Sequence, residues 1–253
     1  MQRIKNTLSK NKKILSIYFS AGFPNLTDTV SLIQKLEESG VDMIEIGLPF
    51  SDPLVDGPTI QVSSTQALRN GMTTEILFKQ LRDIRKTVQI PLIIMGYFNP
   101  ILQFGVAAFL KKCSETGIDG LIIPDLPLEI YLSEYKELFE KKGIAMVFLI
   151  TPQTSDERIR TIDANSDSFI YMVSSASVTG SKAGFSENQI AYFERIAAME
   201  LKNPQVIGFG IHDKTTFEQA TKYQKGAIIG SAFIQFLQNN PISAVNYFIS
   251  KLL

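Results

Sequence analysis

Eight short apolar runs rich in branched residues recur along the chain: ILSIYFS (14–20), MIEIGLP (43–49), LIIMGY (92–97), GLIIPD (120–125), IAMVFLI (144–150), FIYMVS (169–174), QVIGFG (205–210) and GAIIGS (226–231). Their near-continuous hydrophobicity predicts strands buried on both faces, the condition of a parallel sheet covered by helices. The segments between them have helical spacing. LTDTVSLIQKLEESG puts Val30, Ile33 and Leu36 on one stripe, and LEIYLSEYKELFEKKG puts Leu132, Tyr135, Leu138 and Phe139 on another. Gly40, Gly117 and Gly143 suit helix C-termini, and Ser155 and Ser186 suit N-caps. Eight strands alternating with helices predict an α/β fold, a (β/α)8 barrel formed by residues 1–253 as one domain. The competing arrangement is a doubly wound open sheet. Against it, no GxGxxG follows the first strand, and eight units fit barrel closure. The long step from 49 to 92 predicts an extra helix, TIQVSSTQALRNG. The basic N-terminus, MQRIKNTLSKNKK, predicts a short helix capping the bottom of the barrel. The tail NPISAVNYFISKLL reads as a last amphipathic helix.

Charge and composition narrow the function classes. The 25 basic and 25 acidic side chains balance, which argues against a nucleic-acid partner. No apolar run reaches the roughly 20 residues of a membrane span, and the N-terminus lacks the apolar core of a signal peptide. The single cysteine, Cys113, excludes an internal disulfide and fits a reducing cytoplasm. With one Cys and one His, no Cys/His metal site is expected.

In a (β/α)8 barrel, chemistry sits at the C-terminal ends of the strands. There Glu45 is the notable residue, an acid inside an apolar run, on the opposite face from Ile44 and Ile46. A carboxyl aimed into a barrel mouth is desolvated, which raises its pKa and suits it to proton transfer near neutrality. The plainer alternative is a salt-bridged interior glutamate. Asp56 follows on a loop stiffened by Pro49, Pro53 and Pro58; its plainer alternative is a loop-capping aspartate. After the seventh and eighth runs come GFG (208–210) and GS (230–231), where backbone amides and a helix start can hold a phosphate. Gly180 offers a third set of amides. Alternatively, these glycines only make tight turns.

The 17-residue stretch EIGLPFSDPLVDGPTIQ (45–61) resembles the signature of the tryptophan synthase alpha subunit family. FSAGFP, MGYFNPI, IIPDLP, YMVSSASVTG, GFGI and GSAF are similar to further segments of that family, in the same order, over essentially the whole chain. The resemblance implies a (β/α)8 barrel that cleaves indole-3-glycerol phosphate by a retro-aldol reaction to indole and glyceraldehyde 3-phosphate. It implies no cofactor in this chain. Pyridoxal phosphate is expected only in a partner beta subunit, within an alpha2beta2 heterotetramer that receives the indole. Glu45 and Asp56 match the family's two catalytic carboxylates. Tyr171 falls where the family has a tyrosine near the substrate. Phe19, Ile60, Tyr97, Phe209 and Ile228 would line the indole pocket; ordinary barrel packing is the alternative for each. Gly180, Gly210, Gly230 and Ser231 match phosphate-binding positions. Thr179 and Gly180 fall on a loop that in the family closes over the substrate. Some relatives have an arginine where this chain has Ser175; a contact made by that arginine is either missing here or replaced by Lys182. His212, the only histidine, reads as a helix-start residue.

Two other readings stand beside this one. A different phosphate-binding barrel, such as a sugar-phosphate isomerase or epimerase, is disfavoured by the paired acids on one strand-loop unit and by the single histidine. A barrel that has lost activity and serves only as an allosteric partner would be expected to lack Glu45 or Asp56, and both are present.

Overall fold

Each apolar run forms a strand: β1 (Ile14–Ser20), β2 (Met43–Gly47), β3 (Leu92–Met95), β4 (Gly120–Ile122), β5 (Ala145–Ile150), β6 (Ile170–Val173), β7 (Gln205–Gly208) and β8 (Gly226–Ile229). The structure, a computed structural model, describes residues 1–53, 56–174 and 184–253. The strands are all parallel and close in sequence order, with β8 against β1. The open-sheet alternative is thereby excluded. Parallel neighbours cannot be joined by hairpins, so the connections carry helices. These are α1 (Gln2–Leu8), α2 (Thr29–Glu38), α3 (Pro58–Arg69), α4 (Thr74–Leu81), α5 (Phe98–Phe104), α6 (Val106–Thr116), α7 (Leu128–Ile130), α8 (Lys136–Lys142), α9 (Asp156–Ala164), α10 (Glu187–Ala198), α11 (Lys214–Tyr223), α12 (Ser231–Asn239) and α13 (Val245–Ser250).

The two faces of the strands do different jobs. Leu15, Ile17 and Phe19 of β1 and Ile44 and Ile46 of β2 pack outward with the apolar stripes of the helices. Ile14, Met43, Ile93, Ile122 and Val147 fill the barrel interior. Each such side chain contributes about 1.5–3 kcal/mol by leaving water. The expected N-terminal cap is α1, whose Ile4 and Leu8 join the interior cluster. The buried Asp119 holds that end shut. It accepts bonds from Arg3 Nη1 at 3.1 Å and Arg85 Nη2 at 2.6 Å, and from the Leu92 amide at 3.1 Å.

The local punctuation follows the residues that cause it. Gly117 and Gly143 end α6 and α8 in the left-handed conformation, at φ 75° and 68°. Ser155 and Ser186 cap α9 and α10 through the amides of Arg158 and Gln189. The extra helix after β2 is α3, opened by Pro58. Two expectations need adjusting. The segment 128–142 is not one regular helix, because a π-helical turn, Tyr131–Tyr135, separates α7 from α8. The wider turn shifts the stripe, so that Tyr131 and Phe139 are buried with ring centroids 5.3 Å apart, while Leu132 and Tyr135 are only half-buried. The tail begins with a 3-10 turn, Ile242–Ala244, before α13 buries Val245 and Ile249.

Candidate active site

Six of the eight apolar runs outlast their strands by one to three residues, and that C-terminal end of the barrel frames a cavity of about 640 Å³. Strand pairing decides which side chains reach it. In the register of β1 on β2, Tyr18 stands beside Glu45 and Ser20 beside Gly47. Ser16, Tyr18, Glu45 and Gly47 share the inner face, since alternate residues point the same way.

Glu45 is completely buried. Ser16 Oγ donates to its Oε1 at 3.2 Å, and its Oε2 has no partner among the described residues. The salt-bridged glutamate of the plainer alternative is therefore not what this environment provides. Burial pushes the Glu45 carboxyl from its ordinary 4.5 up to about 8, with the Ser16 bond pulling modestly the other way. Glu45 does not itself line the cavity, but two of its neighbours do: Tyr18, beside it in the strand register, and Tyr171, which feels its charge. Asp56 lies in the wall itself, on the loop between β2 and α3. Tyr97 Oη donates to its Oδ2 at 3.3 Å, and burial pushes its carboxyl up to about 6. The loop is tied down locally: the Asp56 amide donates to Pro53 O at 3.2 Å, and Gln61 Nε2 to Asp56 O at 2.9 Å.

Two phenols share the space over these acids. A Cβ on Gly47 would fall 2.2 Å from Tyr18 Oη, and a Cβ on Gly208 would fall 2.0 Å from Tyr171 Oη. Each tyrosine thus lays its hydroxyl where the neighbouring strand has no side chain. Burial, reinforced by the charges of Asp56 and Glu45, pushes both phenols well above their ordinary 10, so both remain protonated. The glycine at 208 is testable. Gly208→Ala is expected to lose about 1–3 kcal/mol of stability, because the methyl must displace Tyr171 from a close-packed wall. Thermal unfolding checks it, and an unchanged midpoint would show that Tyr171 moves freely.

At the opposite end the wall is built of glycine and backbone. Gly210 has φ 76° and Phe209, a bulky residue, has φ 71°, so β7 turns sharply at the cavity edge. Gly230 and Ser231 open α12, which has no side-chain cap hydrogen bond among the described residues. Its first amides have no partner within the helix and, with the helix dipole, favour an anion. Gly184 borders the same end.

The structure brings Asp56, Ile60, Tyr171, Phe209, Gly210, Ile228, Gly230 and Ser231 to one cavity, with Glu45 beside its lining residue Tyr18. Tyr97 lies outside that cavity, in a small recess behind Asp56 with Leu48, Phe50 and Pro53. Phe19 is a correction. It sits on the outer face of β1, fully buried against the helices, because alternation turns it away from the mouth. Its neighbour Tyr18 takes the place expected of it. The signal was available: Ser16 and Ser20 flank Tyr18 at a spacing of two, and a run with polar groups on one face turns that face to the site. His212 lies two residues before α11, where Asp213 is the N-cap, and borders the cavity rim. Thr179 and Gly180, with Ser175 and Lys182, lie outside the described residues, as does most of the loop expected to close over the substrate.

The whole chain has known counterparts. The family described as "Tryptophan synthase alpha chain" matches residues 4–250. The tryptophan synthase alpha chain of Flavobacterium psychrophilum is 71% identical over 252 residues, spanning 100% of both chains. The crystal structure of tryptophan synthase subunit alpha from Legionella pneumophila str. Paris is similar at a TM-score of 0.88 and 33% identity, covering 100% of this chain and 97% of that one. A chain of the tryptophan synthase structure from M. tuberculosis, in its aminoacrylate-bound form, is similar at a TM-score of 0.86 and 27% identity, covering 99% of this chain and 97% of that one.

Proposed function

The chain belongs to the tryptophan synthase alpha chain family, and from that premise we propose how its own residues carry out the family's reaction. That reaction is the cleavage of indole-3-glycerol phosphate to indole and glyceraldehyde 3-phosphate, a carbon–carbon lyase step in tryptophan biosynthesis. The family assignment sets aside the isomerase and epimerase reading. The observation that carries the assignment of roles is the pair of acids on one strand-loop unit, Glu45 and Asp56, both pushed up by burial beside one cavity.

Protonated Glu45 gives its proton to indole C3. The ring becomes an indolenine cation. Ionised Asp56 accepts the ring N–H and stabilises that charge. Glu45, now a carboxylate, takes the proton of the glycerol hydroxyl next to the ring. The carbonyl of glyceraldehyde 3-phosphate forms as the C–C bond breaks. The bonding pair restores the indole double bond and neutralises the cation. Two carboxyls with separated proton affinities suit this division of work. The phosphate is held by the amides at Gly210, Gly230 and Ser231. Ile60, Tyr171, Phe209, Ile228 and Tyr18 enclose the indole. Release of indole from indole-3-glycerol phosphate tests the reading; no release by the chain, alone or with a beta subunit, would contradict it.

The proposal extends to setting and partner. No helix among the described residues is long and apolar enough to cross a membrane, and the one cysteine is buried and free. Both facts are compatible with a cytoplasmic enzyme. The residues assigned here do their chemistry without a cofactor, and the partner is a tryptophan synthase beta subunit that brings pyridoxal phosphate, assembled as alpha2beta2. The loop ahead of Asp56 suits the coupling. Asp52 is exposed, with Ser51 Oγ 2.5 Å from its Oδ2, and Pro53 is tied to the Asp56 amide. A partner pressing on Asp52 and Pro53 would move Asp56. Asp52→Ala is expected to leave the slow activity of the isolated chain nearly unchanged and to reduce its stimulation by a beta subunit, a coupling of roughly 1–3 kcal/mol. Rates of both proteins, alone and with saturating beta subunit, decide this. Equal stimulation would make Asp52 a turn residue, and a crippled isolated variant would place it in the catalytic site.

A further inference from the structure

We infer that Asp125, on the loop after β4, is a positioning residue of the acid pair: it fixes the start of α5 and thereby sets the Tyr97 hydroxyl on the carboxyl of Asp56. The inference rests on the lyase reading above and adds to it a residue that the proposed mechanism does not use.

The sheet brings the neighbouring loops together at its upper end. The Leu48 amide donates to Met95 O at 2.7 Å, and the Gly96 amide to Ile122 O at 3.0 Å. Beyond Gly96 the chain leaves β3 and turns into α5. That helix has seven residues, and its N-cap, Tyr97, makes no side-chain cap bond among the described residues. A helix so short is marginal on its own, so its start depends on ties from outside. Asp125 supplies one across the loops: the Phe98 amide donates to its Oδ1 at 2.8 Å. The first amides of a helix have no partner within it and carry the positive end of its dipole, so an acid suits the place. Asp125 is itself held in a tight turn, closed by the Leu126 amide on Ile123 O at 3.2 Å and flanked by Pro124 and Pro127.

The tie reaches Asp56 through one residue. Tyr97 directly precedes Phe98, so a fixed Phe98 amide fixes the planar peptide that joins them. The Tyr97 ring leans on Phe50, with centroids 5.1 Å apart, and its Oη donates to Asp56 Oδ2 at 3.3 Å. Phe98 is braced by Tyr135, with ring centroids 5.4 Å apart. Phe50, Asp56, Tyr97 and Pro124 line one small recess, so the turn that carries Asp125 borders the place where the bond is made.

The bond bears on how readily Asp56 ionises. Burial raises its carboxyl, and the Tyr97 bond draws it back. The other titratable groups around it are Tyr18 from β1, Tyr171 from β6, Glu45 from β2, Asp52 on its own loop and His212 on the cavity rim. None of these changes when Tyr97 is loosened, and a loosened Tyr97 moves the ionisation of Asp56 to higher pH. Loss of an acid acting directly on Asp56 would move it lower, because a neighbouring negative charge is removed. The direction separates the two routes.

The test is the pH profile of kcat/KM for cleavage of indole-3-glycerol phosphate by the full chain without a partner, so that no contact with a beta subunit enters. Tyr97→Phe removes the hydroxyl and is expected to move the acid limb up by about 0.5 to 1 pH unit, the size of one hydrogen bond. Asp125→Ala removes the tie and should move the same limb in the same direction by up to as much. The alkaline limb, assigned to Glu45, should stay in place in both. Asp125→Asn keeps an oxygen that can accept from Phe98 and is expected to reverse most of the change. The double variant Asp125→Ala, Tyr97→Phe should match Tyr97→Phe alone, since no hydroxyl remains to be positioned. Asp125 is exposed, so its truncation disturbs no core, and thermal midpoints confirm folding. An acid limb that stays or falls in folded Asp125→Ala overturns the inference, as does a double variant moved beyond Tyr97→Phe. A change that Asp125→Asn does not reverse overturns the tie to Phe98. A wild type with no cleavage activity would sink the lyase reading and this inference with it, whereas a normal wild-type profile with an unmoved limb in the variants sinks the inference alone.

Discussion

Glu45→Gln is expected to cut cleavage of indole-3-glycerol phosphate by about 10²- to 10⁴-fold, the usual contribution of a general acid–base group. The amide keeps the shape and can still accept from Ser16, but it cannot carry the proton. The same substitution is expected to stabilise the fold, increasingly so as the pH rises. The Glu45 carboxyl goes from its ordinary 4.5 to about 8 in the folded chain because no counter-charge offsets its burial. A group raised in this way lends its full support below the unfolded value and loses it as the pH climbs toward the folded value. Wild-type stability should therefore fall relative to the glutamine variant between about pH 4.5 and pH 8, and the gap should then level off, reaching a few kcal/mol. Denaturant unfolding at several pH values measures it. A folded variant that retains more than a fifth of the activity would remove Glu45 from the mechanism. A pH-independent stability gap would mean that the carboxyl is not strained by burial.

Gly230→Asp separates binding from folding in the opposite sense. At the start of α12 an aspartate is a good helix cap, worth about 0.5–2 kcal/mol to a helix that lacks one. The backbone of Gly230, at φ −118°, accepts a side chain, and Tyr18 must give by only a few tenths of an ångström. The fold should thus survive. The new carboxylate, however, occupies the amides assigned to the phosphate. At an effective dielectric constant of about 20, like charges some 5 Å apart repel by roughly 3 kcal/mol, which is about 10² in affinity. Calorimetric titration with glycerol 3-phosphate is expected to show at least that loss with an undiminished melting temperature. Equal affinity in the folded variant would show that the phosphate site has been misplaced.

The residues that could be read from the sequence are those whose cause is local. Strands buried on both faces leave long apolar runs, so all eight strands and their order could be read. Ser155 and Ser186 carry their capping role in their own chemistry. Glu45 stood out because an acid inside an apolar run has few reasons to be there. What escaped is non-local. An apolar residue such as Phe19 gives no sign of which face it takes when both faces are buried, so the inner place was assigned one residue late, and the two serines beside Tyr18 were the available correction. Gly47 and Gly208 each make room for a tyrosine from the preceding strand, which no single run reveals. The π-helical turn at 131–135 brings Tyr131 onto Phe139 and Phe148, partners set by the assembled barrel.

Two carboxyls, Glu45 buried and Asp56 half-buried, one protonated and one ionised, act together near neutrality. The most direct test is the pH profile of kcat/KM for cleavage of indole-3-glycerol phosphate by wild type and by Asp56→Asn. The wild type should give a bell with limbs near pH 6 and pH 8, apparent values that belong to the coupled pair. Asp56→Asn should be slower and should lose the acid limb while keeping the alkaline one. A wild-type rate flat from pH 5 to pH 9, or a variant with both limbs intact, would contradict the claim that these two acids divide the proton work.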